Sequence, residues 1–277
     1  MRAGLRTGGA ILPQPILAWL YRDVQSRPDW IGRLVQTAGR EIATGEGTIR
    51  RGPATGLRID ATGRMAGYVL GTADYDEQQW FADHVASGST FYDIGANVGF
   101  FTLVAAKIVG ADGFVVAFEP LPANVRQLEK NVTLNALTNV TVIPKAVGSI
   151  EGLAGFAVGD DGRDNSRLSE GPAEGAGEIE VPVTTVDAAV REHDLRMPDV
   201  LKIDVEGSEI EVLRGALQTI RRSRPLIVAE VHGIGPEFAD FVDRELSSFG
   251  YCAETISTGE ALSTDDSRFH AVLAPAD

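Results

Sequence analysis

The sequence predicts an α/β protein: a doubly wound, Rossmann-like sheet, mostly parallel with an antiparallel terminal strand pair, behind an N-terminal helical extension. Three observations carry this. From Thr90 onward, short apolar runs alternate with amphipathic stretches of helical length. The first run, Phe91 to Ile94, enters a glycine-bearing turn, Gly95-Ala96-Asn97-Val98-Gly99, that opens an apolar helix. The next run, Val115 to Phe118, ends in Glu119, which stands 20 residues beyond Gly99. That is the distance at which such a sheet sets an acid on a ribose diol.

In chain order, Leu17, Leu20, Tyr21 and Val24 follow helical spacing, and Pro28 should end or kink that helix. Ile31, Leu34 and Val35 suggest a second short helix. Together they read as a helical cap on the main domain, or as an interfacial helix assisted by Arg22, Arg27 and Arg33. Residues 45–71 are glycine-rich and read as turns with short strands, one of them Ala66 to Leu70. Tyr75 to Val85 should be helical, with His84 on its apolar side as a packing residue. Strands are then expected near 90–94, 113–118, 139–144, 199–204 and 225–231. Helices should fill roughly 98–109, 122–135, 184–193, 207–220 and 236–248. Tyr251 to Ile256 and Phe269 to Leu273 form the closing pair. Residues 149–182 break the alternation with loop-like Gly159-Asp160-Asp161-Gly162 and Gly171 to Gly177, flanked by strands at 153–158 and 178–183. The division is therefore an extension over 1–65 and a ligand-binding domain over 66–277, with a loop-rich insertion at about 149–182 beside the sheet's ligand edge.

Composition narrows the class. With 277 residues, 44% hydrophobic and 23% charged, the chain can bury a full core. A net charge of −14 argues against a nucleic-acid partner, because phosphate binding needs a basic face. Cys252 is the only cysteine, which excludes an internal disulfide and fits a cytoplasmic setting. No apolar run is long enough to span a bilayer, and Pro13, Gln14 and Pro15 interrupt the stretch from Ile11 to Leu20.

The turn itself discriminates between cofactors. A dinucleotide site uses G-x-G-x-x-G so that backbone N–H groups approach a pyrophosphate. Here the spacing is G-x-x-x-G, and Asp93 precedes it. A carboxylate there repels phosphate but suits an ammonium group. S-adenosylmethionine carries an ammonium and a ribose diol and no phosphate, so Asp93 with Glu119 fits it better than a nicotinamide cofactor.

A second cluster lies in Leu201-Lys202-Ile203-Asp204-Val205-Glu206-Gly207-Ser208-Glu209. Lys202 and Asp204 share a strand face, and Asp204 should emerge beside Asp93 if the strand order reverses there. Ser208 with Glu211 matches a capping box, and Glu209 and Glu211 read as dipole-favoured acids of a first helical turn. Glu230 and His232, at the exit of Leu226 to Val231, point to one side of the same edge, and His232 is a candidate base. Asp204, Glu206 and His232 could hold a divalent ion, but their spacing favours a metal-free reading. His193 and His270 have no partner by spacing.

With these residues on the page, the chain resembles the FkbM-type S-adenosylmethionine-dependent methyltransferases over roughly 66–235. The resemblance rests on Gly71 with Tyr75 and Glu77, on Asp93 to Gly99, on Phe118-Glu119-Pro120, Asn131 and Ala146-Val147-Gly148. It continues through Thr185-Val186-Asp187 and Lys202 to Gly207, and ends in Glu230-Val231-His232. It implies a class I methyltransferase fold and methyl transfer to a hydroxyl of a sugar, glycolipid or secondary metabolite. On this chain it implies that Asp93, Gly95, Asn97 and Gly99 line the methionine end, Glu119 the ribose and Ala146 the adenine, with Asp204 near the methyl group. Glu77, Asn165, Ser166, Glu206 and Glu230 are pocket candidates. His232 or Asp204 would take the acceptor's proton. The partner expected is a small-molecule or glycan acceptor, and a homodimer is compatible with the sequence. A nicotinamide-dependent oxidoreductase and a non-catalytic cofactor-sensing module are the competing readings.

Overall fold

The computed structural model describes residues 45–157, 178–262 and 268–276, with 63 and 65 excepted. The expected helices near 17–24 and 31–35, and Asn165 and Ser166, lie outside the described residues. Two short antiparallel strands, β1 (Glu46–Thr48) and β2 (Arg58–Asp60), precede helices α1 (Ala66–Leu70) and α2 (Tyr75–His84). The main alternation follows: β3 (Thr90–Ile94), α3 (Phe100–Val109), β4 (Phe114–Phe118), α4 (Pro122–Leu134) and β5 (Val140–Ile143). A side sheet is built from β6 (Ala146–Val147), β7 (Gly152–Ala157) and β8 (Glu178–Thr184). Then come α5 (Val186–Glu192), β9 (Val200–Ile203), α6 (Glu209–Arg214), α7 (Leu217–Ser223), β10 (Leu226–His232) and α8 (Gly235–Phe241). The antiparallel β11 (Tyr251–Thr255) and β12 (Arg268–Pro275) close the chain.

The main sheet has seven strands in the order β11-β12-β10-β9-β3-β4-β5. Neighbours from β5 to β10 are parallel, and β12 is antiparallel to both β10 and β11. Period-two alternation sends each strand's apolar residues to two cores. Tyr92, Ile94, Leu201, Ile203 and Val231 pack on one face with Val212 and Phe238. Phe91, Val115, Val200 and Val228 pack on the other with Phe81, Leu103 and Val104. Burial on both faces is why these strands read as continuous apolar runs. The strand order reverses at β3, which pairs with β4 on one side and β9 on the other. A ligand crevice opens there in sheets of this kind.

Two expectations are corrected. Ala66–Leu70 is a helix, not a strand. A five-residue apolar run carries too little periodicity to choose. Tertiary contact decides it: Tyr68 stacks on Phe100 at 4.9 Å, and Val69 packs over Gly47 of β1. The expected helix over 207–220 is divided into α6 and α7 at Gly215. A side chain there would meet the Gly148 carbonyl at 2.0 Å, and the Gly215 carbonyl accepts the Asp187 N–H at 3.0 Å. The Asp187 carboxylate accepts from the Gln218 and Thr219 N–H groups at 3.1 and 2.8 Å, capping the restarted helix from a distance. Among the described residues, no helix is long and apolar enough to cross a membrane.

Candidate active site

The turn after β3 is shaped by backbone approach. Gly95 has φ +84°, and a Cβ on it would stand 1.8 Å from the Asp204 carbonyl oxygen, so only glycine lets the two strand exits meet. Gly99 has φ +88° and faces Leu128 of α4. Asn97 takes a left-handed conformation between them, at φ 51°. The Asp204 N–H donates to the Ile94 carbonyl at 3.0 Å, which fixes the two exits side by side.

Asp93 is fully buried below this turn. Its Oδ2 accepts the Thr102 hydroxyl at 2.6 Å, and Lys202 Nζ lies 3.8 Å from Oδ1. Burial raises its carboxyl, opposed by Lys202 and Thr102. Asp93 Oδ1 and Asn97 Oδ1 are buried acceptors without a hydrogen-bond partner among the described residues. Glu119, at the exit of β4, accepts the Asn97 N–H at 2.8 Å, the Leu121 N–H at 2.9 Å and the Asn124 amide at 3.1 Å. Burial pushes its carboxyl up to about 7 against those bonds. Ala146 is buried beside Leu121, Phe156 and Val181, an apolar wall on the same side.

Across the switch point lies a dense ionic cluster. Lys202 is 2% exposed, sits 4.7 Å from the Phe101 ring, and contacts Asp204 Oδ2 at 3.2 Å. Burial would lower its ammonium, but Asp204, Asp93, Glu77 and Glu230 hold it above its ordinary value. His232 Nδ1 lies 3.0 Å from Glu209 Oε1, and its Nε2 lies 3.5 Å from both Glu206 Oε2 and Glu230 Oε1. Burial alone would lower the imidazole; Glu209 and Glu230 instead push it up to about 10. Glu206 is in the left-handed region at φ 52°, a strained conformation for a residue with a side chain. Burial raises its carboxyl. Glu230 holds the Arg268 guanidinium closely and lies 3.7 Å from His270 Nε2. Despite burial, its carboxyl is held well below the usual range by His232, His270 and Arg268. Glu77, from α2, reaches the same His270 nitrogen at 3.6 Å, and burial raises it strongly.

The structure thus gathers Glu77, Asp204, Glu206, Glu230 and His232 around one edge, next to the turn carrying Asp93, Gly95, Asn97 and Gly99. Four members were not singled out from sequence. Glu209 reads as an ordinary helix-start acid, yet it is fully buried and holds His232; the expected Ser208–Glu211 capping box is not formed, and Glu211 pairs with Arg214 instead. His270 and Arg268 arrive through the β10–β12 register, which sets Glu230 opposite His270 and His232 opposite Arg268. Asp74, just before α2, is raised by burial and by Glu230. The sequential signal for Glu209 was its place in the Asp204-to-Glu209 run; the others had none.

A comparison with protein families matches residues 93–252 to the methyltransferase FkbM domain. The chain belongs to this family. The match spans the turn, both acids at the strand exits and the Asp204–His232 edge. The chain is 30% identical over 153 residues to the hexuronic acid methyltransferase AglP of Haloferax volcanii, covering 53% of this chain and 57% of that protein. It is 27% identical over 180 residues to methyltransferase sdnD of Sordaria araneosa, covering 52% of this chain and 68% of that one. The solved structure of methyltransferase FkbM from Methylobacillus flagellatus superposes with a TM-score of 0.45 at 15% identity, covering 88% of this chain and 60% of that one. The chain therefore spans less than two thirds of the AglP it matches.

S-adenosylmethionine is the cofactor of this domain. The residues present fit it: beside the turn lie two buried acceptor oxygens without a hydrogen-bond partner among the described residues, on Asp93 and Asn97, and the buried Glu119, while the nearby Lys202 is neutralised by Asp93 and Asp204. When bound, the group supplies an electrophilic methyl on a sulfonium. The nicotinamide reading falls with this assignment.

Proposed function

We propose that the protein transfers a methyl group from S-adenosylmethionine to a hydroxyl oxygen of a sugar, glycolipid or secondary metabolite. The observation that carries this reading is the abutment of Gly95 and Asp204, which joins the donor turn directly to the Asp204–His232 edge. Similarity to AglP, a hexuronic acid methyltransferase, supports a glycan-type acceptor. In the reaction, an acceptor oxygen forms the new C–O bond, the S–C bond breaks with its electron pair going to sulfur, and the hydroxyl proton leaves to solvent. The leaving product is S-adenosylhomocysteine.

In this proposal Asp93, Gly95, Asn97 and Gly99 hold the methionine end, Glu119 the ribose diol and Ala146 the adenine. Much of the acceleration comes from holding acceptor and methyl in line. Asp204 and His232 face the acceptor hydroxyl and handle its proton, with Glu77, Glu206 and Glu230 lining the pocket. Asn165 and Ser166 complete it as candidates from the insertion. Glu209 and Glu230 favour the charged imidazole of His232, so its share in handling the proton depends on those two acids.

Incubating the protein with methyl-labelled donor and a panel of uronic-acid glycans, neutral sugars and hydroxylated metabolites tests this. S-adenosylhomocysteine should appear only with an acceptor, and the label should sit on oxygen. Label on nitrogen or carbon, or full activity in His232→Ala, would overturn the hydroxyl reading.

A further inference from the structure

We propose that Asp204, Glu230 and His232 form a binding site for a divalent metal ion of the Mn2+ type. One carboxylate oxygen from each acid and one imidazole nitrogen lie within 4.8 Å of one another. Ligands around one octahedral ion, with bonds of about 2.1 Å, stand roughly 3 to 4 Å apart, so small side-chain rotations close the set. Two carboxylates with one imidazole suit this class of ion and leave positions open for other oxygens.

Observations outside the cluster itself point to an ion. The Nδ1 of His232 is engaged by Glu209, whose side chain is fully buried, which turns Nε2 toward Glu206 and Glu230, each 3.5 Å away, where a divalent ion would take the place of the ring's proton. A carboxylate behind a histidine is how metal centres aim the opposite nitrogen at the ion. That Nε2 is buried and has no hydrogen-bond partner among the described residues. Glu77, 2% exposed, brings Oε2 to 3.6 Å from His270 Nε2 of the same cluster, and neither of its buried oxygens is hydrogen-bonded among the described residues. Seven carboxylates, Asp74, Glu77, Asp93, Asp204, Glu206, Glu209 and Glu230, gather around Lys202, Arg268, His232 and His270. Lys202 engages Asp204 through Oδ2, which leaves its Oδ1 outside that pair, and Arg268 engages Glu230 through Oε1, while Glu230 Oε2 lies 3.7 Å from His270 Nε2.

The catalytic consequence rests on the methyl-transfer reading: a hydroxyl bound to the ion loses its proton to solvent more readily, and the resulting oxygen attacks the methyl. The binding claim does not rest on it. Untagged, EDTA-treated full-length protein titrated with Mn2+, without methyl donor or acceptor, should remove the free-ion paramagnetic signal with one saturable ion per chain. Pulsed measurement of the bound ion should show imidazole nitrogen coupling in the wild type and none in His232→Gln. Asp204→Asn and Glu230→Gln should abolish saturable binding. Glu209→Gln, as a positioning change, should weaken it about 10- to 100-fold, while Glu211→Gln on the exposed side of α6 should leave it unchanged. Absence of saturable binding, or binding that Asp204→Asn leaves intact, overturns the proposal. Should His232→Gln fail to fold by circular dichroism, Asp204→Asn at its more open position decides. Failure here leaves methyl transfer standing, and failure of methyl transfer leaves the ion titration unaffected.

Discussion

His232 and Glu209 form a pair 3.0 Å apart, with the glutamate fully buried beneath the imidazole. They come from different elements, the exit of β10 and the start of α6, and the contact locks the ring's orientation at the sheet edge. Replacing Glu209 by Gln should lower kcat about tenfold or more while leaving KM for the methyl donor close to the wild-type value. Steady-state kinetics checks this. Equal losses in kcat and in donor affinity would indicate collapse of the whole crevice instead.

If Glu119 binds the ribose as proposed, donor binding depends on pH. Its carboxyl is raised from an ordinary 4.5 to about 7 by burial, and a ribose diol donating to it favours the ionised form. Affinity for S-adenosylhomocysteine should therefore rise as pH increases, by roughly tenfold per unit below pH 7, and level off above it. Calorimetry in buffers of different ionisation enthalpy should register proton release near pH 6, and Glu119→Gln should flatten the curve. In the ligand-free protein the sign is opposite. A raised acid contributes stability below about pH 4.5, and that contribution is lost as pH climbs to about 7.

Gly95→Ala should destabilise the fold and abolish donor binding together. The added methyl meets the Asp204 carbonyl at 1.8 Å, in a conformation at φ +84° that side chains disfavour. The strain amounts to about 1–3 kcal/mol before the collision is counted. A melting scan with and without S-adenosylhomocysteine reads both effects.

Asp187 separates structural members of the shared motif from those at the site. Its carboxylate caps α7 through Gln218 and Thr219, away from the crevice. Asp187→Ala should cost about 1 kcal/mol of stability by chemical denaturation, with donor affinity unchanged. A loss of donor affinity would show that α7 and the crevice are coupled.

Much of this architecture is legible along the chain because parallel strands buried on both faces are local apolar runs. Each ends in a polar exit, Asp93, Glu119, Asp204 or Glu230, and those exits fall on one edge by rule. Ala66–Leu70 and Gly215 were not legible. The first was decided by stacking on Phe100 and packing over Gly47, the second by the nearness of the Gly148 backbone. His270 and Arg268 could not be found by spacing, since antiparallel register joins them to Glu230 and His232 across 36 or more positions.

The sequence by itself determined the doubly wound sheet, the glycine turn from Asp93 to Gly99, the acid at the β4 exit, Glu119, and the edge carrying Asp204 and His232. Those features are periodicities and short spacings, written within one strand and its exit. Only the tertiary structure decided that Glu209 stands behind His232, that Glu77 and Asp74 reach the same edge, and that Lys202, Arg268, His232 and His270 are gathered among those acids. Burial and charge balance are properties of side chains brought together from distant segments, and no local pattern encodes them.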